Sequence, residues 1–396
     1  MTGTYVTMPS GLKILAPRTP HTWIEKATGV FGDELSAKRL EADVASSVAF
    51  LRQRPFFQGE ATVTTAVASA TYVPIPMAEL VDNVAGHSDS TNVSRWYDPF
   101  TATSSTIGDW YLVTSYIAFA GGTDPTKSYV AGIRLNGSTV YEGSKNAGAT
   151  GKVQTGLCVD LVQMINSDYL EAVARQDTGG SINTTITGRT STLTARWVCA
   201  RTGTVVALPS TPRTWTAADL LTADTSGGVN VPLNVHIRDT LRFLIYPPIV
   251  RLSSVGSSQT IPTGAGTWTS FQLPTATVDN YTGWSSGANT KYTCQRAGLY
   301  SVYGLAAVAE SATATGFRAA RILHTIAAGG TAIYGGHSSQ AATASSAGTQ
   351  LPVLAKIRMA VNDTLELQLT HNEVGALTVK TGSGDHARLI AVWRSL

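Results

Sequence analysis

Two carboxylate pairs stand at matching places in the halves of this 396-residue chain: Asp168 with Glu171, and Asp363 with Glu366. A repeated acidic pair is where hydrolysis would be sought, because a glycosidase needs two carboxylates flanking one bond at a defined gap. Here each pair spans only a turn and a strand start, which sets no such gap. A Ca²⁺ ligated by loop carboxylates and carbonyls is the other chemistry these residues could support. The seven histidines form no His-x-x-x-His pair, and Cys158, Cys199 and Cys294 form no Cys-x-x-Cys. His337 sits in the glycine-rich stretch Gly335-Gly336-His337-Ser338-Ser339, with no partner base in view. No Gly-x-Ser-x-Gly elbow or phosphate-binding glycine loop occurs. The expectation is a protein that is not an enzyme and needs no metal or cofactor. The cysteines read as small apolar fillers.

Composition limits the elements that could position any site. Hydrophobic residues make up 43% of the chain and charged residues only 14%, with 37 glycines. Short strands and many turns suit that mix better than long solvated helices. A formal net charge of +3 without a basic block gives no sign of nucleic-acid binding. No stretch reaches about 18 apolar residues, so no membrane insertion is expected. Met1 to Leu15 lacks a basic segment followed by an apolar run, so no secretory signal is expected either.

The most informative feature is an internal repeat. Thr19-Pro20-His21-Thr22-Trp23 recurs as Thr211-Pro212-Arg213-Thr214-Trp215. Downstream, Leu40, Val44, Val48 and Leu51 share their spacing with Leu233, Ile237, Leu241 and Leu244, at a constant offset of 193. That spacing places each set on one face of a helix. Pro55 and Pro248 then stop both helices. The stripes either pack on their own β domains or self-associate around a threefold axis. Trp23 and Trp215 are candidate anchors, either for a neighbouring surface or for their own domains.

After each helix come short β-rich runs separated by turn residues, a texture that predicts a sandwich or barrel. Asn136-Gly137 marks a hairpin. Matches continue through the β regions: Trp96 with Trp284, Gly108 with Gly298, Tyr111 with Tyr300, Asp168 with Asp363 and Trp197 with Trp393. The sequence is thus read as mainly β, with two tandem antiparallel jelly-roll sandwiches, each preceded by an amphipathic helix. The divisions are 1–57 for an N-terminal arm and first helix, 58–200 for the first jelly roll, 201–252 for a linker with the second helix, and 253–396 for the second jelly roll.

Tyr292 to Tyr300, with Gly298-Leu299-Tyr300 opening a strand, resembles an early strand signature of complement-type globular heads of the tumour-necrosis-factor-like jelly rolls. Asn362-Asp363-Thr364-Leu365 resembles that family's turn before a late strand, and Leu389 to Trp393 its last central strand. Asn362 and Ser167 stand where the family usually has glycine. The resemblance implies that the aspartate is a turn residue bonding local amides, and that the protein forms homotrimers.

A second resemblance is to minor structural and tail proteins of actinobacterial phages. It rests on Thr211 to Trp215, His236-Ile237-Arg238-Asp239 and Phe243-Leu244 before Pro247-Pro248. It implies a virion protein assembled in the host cytoplasm, attached to other virion proteins through its N-terminal arm. A minor tail or tail-tip location is preferred, with capsid decoration or a head fibre as the alternative. Binding of a host cell-wall glycan without catalysis is a further reading, for which Trp268, Tyr281 and Trp284 are the candidate contacts.

Overall fold

The computed structural model describes most of residues 44–199 and 239–396, with two short strands near the N-terminus. Residues 16–43 and 201–238 lie outside the described set, as do 84–92, 100–107, 123–126, 148–151, 310–315, 342–347 and a few scattered positions. Among the described residues no helix is long and apolar enough to cross a membrane.

Each half builds eight principal strands. In the first module these are β1 (Phe56–Glu60), β2 (Ala78–Asp82), β3 (Asp109–Gly122), β4 (Ser128–Leu135), β5 (Thr139–Ala147), β6 (Lys152–Met164), β7 (Tyr169–Gln176) and β8 (Thr192–Cys199). In the second they are β9 (Ile249–Ser253), β10 (Thr275–Asp279), β11 (Gly298–Val308), β12 (Phe317–Thr325), β13 (Thr331–Ala341), β14 (Thr349–Met359), β15 (Thr364–His371) and β16 (Arg388–Ser395). One sheet of the first module runs β6-β3-β8-β1-β2, and its counterpart runs β14-β11-β16-β9-β10. The facing sheets run β5-β4-β7 and β13-β12-β15, each extended by short strands. The two modules therefore have the same strand order, and each is an antiparallel jelly roll. Lys145 on β5 pairs with Gln350 on β14, joining one sheet of each module into a continuous ladder.

Period-two alternation explains the cores. On β3, Tyr111, Val113, Ile117 and Phe119 point inward; on β8, Leu193, Ala195 and Trp197 do so. Tyr300 and Val302, Leu365, Leu367 and Leu369, and Leu389, Ala391 and Trp393 fill the second core in the same way. Asn136 and Gly137 both have positive φ and close the β4–β5 hairpin.

Both modules begin with the same corner. Val44, Ser47, Val48, Phe50, Leu51 and Arg52 are helical, as is Asp239–Ile245. Phe50 meets Trp197 edge-on at 4.9 Å, and Phe243 meets Trp393 edge-on at 4.8 Å. The Trp197 amide donates to the Pro55 carbonyl at 2.9 Å, and the Trp393 amide to that of Pro248 at 3.0 Å. Each proline ends its helix, and its carbonyl at once begins the next strand. Strands β1 and β9 accordingly start ahead of residues 58 and 253, where the texture of the sequence turns β-rich.

One match made on residue type does not survive in the structure. Trp96 pairs with Leu170 on β7, whereas the residue that pairs with the equivalent Leu365 is Tyr292. Trp284 lies earlier, in a turn, with its amide held by Asp279 Oδ2 at 2.7 Å. Strand register, rather than the shared indole, defines the equivalence.

Candidate functional site

The repeated carboxylates hold turns. Asp168 Oδ2 accepts the Ile165 amide at 2.8 Å and Oδ1 accepts Asn136 Nδ2 at 2.6 Å. Asp363 Oδ2 accepts the Ala360 amide at 2.8 Å, and Oδ1 accepts the Ala327 amide at 2.9 Å. His324 Nε2 also lies 2.8 Å from Asp363 Oδ2. Burial alone would raise the Asp363 carboxyl, but those two amides and His324 outweigh it and hold it below the usual carboxylate range. Ser167 and Asn362, the residues before the two aspartates, have φ of 67° and 71°. This left-handed conformation is one that glycine adopts freely. Glu171 instead pairs with Arg134 Nε at 2.7 Å and Arg95 Nε at 3.5 Å, while Glu366 accepts from Ser270 Oγ. Neither aspartate shares a hydrogen-bonding partner with the glutamate three residues on.

The candidate attachment residues divide. Trp23, Leu40, Trp215, Leu233 and Ile237 lie outside the described residues. Val44 is half-buried and Leu51 packs against the first core. Leu241 is buried, and Leu244 packs on the second core beside buried Phe243. Val48 is 42% exposed. The described parts of both helices thus lie on their own sandwiches, and Val48 alone of the described stripe residues points to solvent.

The candidate ligand aromatics divide as well. Tyr281 is buried, with its hydroxyl donating to the Tyr246 carbonyl at 3.0 Å and its ring 6.2 Å from Phe243. It is a core residue and offers no surface to a ligand, because the second helix closes over it. Trp284 packs against the same core and donates from Nε1 to the Leu273 carbonyl at 3.1 Å. Trp268 differs: it flanks the outer face of the β12–β15 sheet, with the Arg321 guanidinium 4.0 Å from its ring centroid. Arg321 Nε donates to Gln368 Oε1 at 2.8 Å, and Gln368 Nε2 donates to Ser270 Oγ at 3.1 Å.

The most heavily built contact lies between the modules. Trp110, Val159, Leu161, Val198 and Cys199 from the first pack against Ile249, Tyr303, Leu305, Ile390 and Val392 from the second. At its edge Asp160, fully buried on β6, receives Arg251 Nε at 2.5 Å and Nη2 at 3.0 Å. Arg388, also fully buried, brings Nη1 to 3.4 Å from Asp160 and donates from Nη2 to the Glu142 carbonyl at 2.5 Å. Burial would raise the Asp160 carboxyl; the two guanidiniums outweigh it and hold the carboxyl below its ordinary value. His386 lies close by and donates from Nδ1 to the Gly382 carbonyl at 2.9 Å. Burial, followed by Arg388 and Arg251, pushes it down to about 4. Burial likewise pushes the Cys158 thiol up to about 12, so it stays protonated and inert at neutral pH. A buried ion pair adds little net stability over apolar packing, but it penalises every docking that leaves a charge unpaired. The junction thereby fixes one arrangement of the two sandwiches.

Reading the sequence did not single out this junction, although a signal was present. Asp160 interrupts Leu157-Cys158-Val159-Asp160-Leu161-Val162, Arg251 interrupts Ile249-Val250-Arg251-Leu252, and Arg388 opens Leu389-Ile390-Ala391-Val392. A lone charge inside an otherwise apolar strand has to find a buried partner.

No family model matches the chain, and no curated protein matches it either. Among solved structures, the chain is similar to the globular domain of zebrafish complement 1qA protein at 9% identity. That match covers 38% of this chain and 100% of that one, with a TM-score of 0.26. Similarity to Eiger TNF from S. frugiperda is at 13% identity over 39% of this chain and 100% of that one, with a TM-score of 0.28. A mutant VP2 protein of infectious bursal disease virus matches at 10% identity over 86% of this chain and 73% of that one, with a TM-score of 0.23. At these scores the jelly-roll assignment stands on the strand order described above.

Proposed function

We propose that this chain is a non-enzymatic structural protein of a bacteriophage particle, a minor tail or tail-tip component. In this reading it forms homotrimers, is attached to other virion proteins through its N-terminal arm, and presents its jelly rolls to the host surface. The observation that carries it is the junction: two sandwiches locked together by apolar packing and a buried Asp160–Arg251–Arg388 cluster. Such a junction makes a stiff two-lobed body, which suits a projecting particle component. Self-association is supported by Leu354, 53% exposed on β14 opposite Tyr303, so that apolar surface continues outward from the junction. The phage assignment draws on the resemblance of Thr211 to Trp215 and His236 to Asp239. Capsid decoration is the same object at another place on the particle.

A second reading, non-catalytic glycan binding, is favoured by one observation. Trp268 sits beside Arg321, Gln368 and Ser270 on an outer sheet face, an aromatic next to planar hydrogen-bonding groups. Three experiments separate the readings. Sedimentation equilibrium of the full chain yields a trimer mass under the first, and a clean monomer at micromolar concentration rejects the trimer. Gold-labelled antibody on intact particles decides tail, head or neither. Incubation with host wall fragments gives binding without released sugar if the glycan reading holds, whereas released sugar revives an enzyme.

A further inference from the structure

Strand register makes the first module a control for the second, because it matches the outer-face positions of the two. On the second module Arg321, Gln368 and Ser270 stand side by side on β12, β15 and the short strand Thr269–Ser270. Ala320, Ile322, Leu367 and Leu369 alternate with them and point into the core, so all three lie on the outer face. Trp268, two residues before Ser270, shares that face. The same register in the first module holds Gly132, Val173 and Pro74. There the Val173 side chain fills the space over Gly132, and none of the three can make a side-chain hydrogen bond. The sandwich therefore closes without the polar row, and the row of the second module is not a requirement of the fold.

Contacts link the row from end to end. Arg321 Nε donates to Gln368 Oε1, Gln368 Nε2 donates to Ser270 Oγ, and Ser270 Oγ donates to Glu366 Oε2. The Arg321 guanidinium lies 4.0 Å from the Trp268 ring centroid, so the indole lends it a face and steadies it. Arg321 Nη1 and Nη2 and Glu366 Oε1 are left without a hydrogen-bond partner among the described residues, and all three atoms reach solvent. Glu366 also lacks the neighbour of its first-module counterpart. Glu171 takes Arg134, whereas Leu323 stands opposite Glu366, with Ile333 beyond it 54% exposed. A guanidinium only donates and a carboxylate only accepts. An anion is repelled by Glu366 and a cation by Arg321. Hydroxyls both donate and accept, so neighbouring hydroxyls of an uncharged sugar satisfy both groups at once. Successive outer-face residues on one strand are about 7 Å apart, a gap that a pyranose with its hydroxyls spans, and Leu323 and Ile333 offer apolar surface to its C–H face.

We propose that Arg321 and Glu366, positioned by Trp268, Gln368 and Ser270, form a binding site for an uncharged pyranose on the outer sheet of the second module. The site rests on the glycan-binding reading and narrows it to neutral sugars and to one face. The labelled full chain, applied at physiological salt to an array of dextran, mannan, galactan, polygalacturonate and chitosan fragments, tests it. The parent binds at least one of the three neutral polymers more tightly than either charged one. Arg321→Ala and Glu366→Ala each weaken that binding by about tenfold or more, and both keep the parent melting temperature, since the first module folds without the row. Trp268→Ala weakens binding as well, and Trp268→Tyr, which copies Tyr72 at the matching position of the first module, restores most of it. Binding to polygalacturonate or chitosan alone overturns the neutral-sugar site and leaves the glycan reading standing. Neutral binding that Arg321→Ala and Glu366→Ala both retain puts the glycan elsewhere on the molecule and overturns the site. Binding to none of the five polymers overturns the site and the glycan reading together.

Discussion

Strand β6 of the first module and strand β14 of the second occupy the same place in the same sheet order, yet they meet different surroundings. On β6, Val159 and Leu161 lie against the second module and Asp160 binds its two arginines. On β14 the matching stretch carries exposed Leu354 and exposed Lys356, with Ala355 between them. The receiving face differs too. Tyr303, Leu305, Ile390 and Val392 are buried in the second module, while Thr114, Tyr116 and Thr194 of the first are half-buried and Arg196 is exposed. Internal features, by contrast, are kept: the Phe–Trp corner, the proline carbonyl and the turn aspartate recur with nearly the same distances. After duplication the interiors stayed alike, and the outward faces diverged into two different contact surfaces. Such a contact is directional, because the two modules contribute different surfaces to it.

The comparison can be broken at its most asymmetric point. Asp160→Ala leaves two buried arginines uncompensated and costs about 4 kcal/mol, read as a lower urea midpoint. Thr192→Val, at the first-module match of Arg388, changes stability by less than about 0.5 kcal/mol. The shared corner gives the converse test. Phe50→Ala and Phe243→Ala each cost about 3 kcal/mol, and similar losses from both confirm that the two corners do the same work.

Acid loosens the junction. His386 is held near 4 when folded, against about 6.5 when free. The unfolded chain therefore binds the extra proton between those values, and stability falls as pH drops from about 6.5 towards 4, by up to about 3 kcal/mol. The depressed Asp160 carboxyl adds a further loss below the ordinary aspartate value. Urea midpoints at pH 7.5, 5.5 and 4.5 record this trend, and His386→Gln flattens its upper part. Small gains belong to the turns. Ser167→Gly relieves a left-handed serine and gains about 1 kcal/mol, while Asn362→Gly gains only a few tenths, because asparagine tolerates that region.

The duplication, the helix stops at Pro55 and Pro248, the Asn136-Gly137 hairpin and the jelly-roll class were legible because local chemistry dictates them. The turn aspartates were legible through a family pattern. The junction was not, because an apolar strand reads alike whether its outer face meets solvent, another copy or a neighbouring module. Tyr281 was misplaced among surface contacts for a related reason. An aromatic in a turn-rich stretch gives no sign that a distant helix will close over it.

Differential scanning calorimetry of the full chain against Asp160→Ala tests most directly the claim that the two jelly rolls form one locked unit. The account predicts a single cooperative transition for the parent, splitting into two in the variant as each module melts on its own. Two independent transitions in the parent, or one undivided transition in the variant at an unchanged temperature, would contradict it.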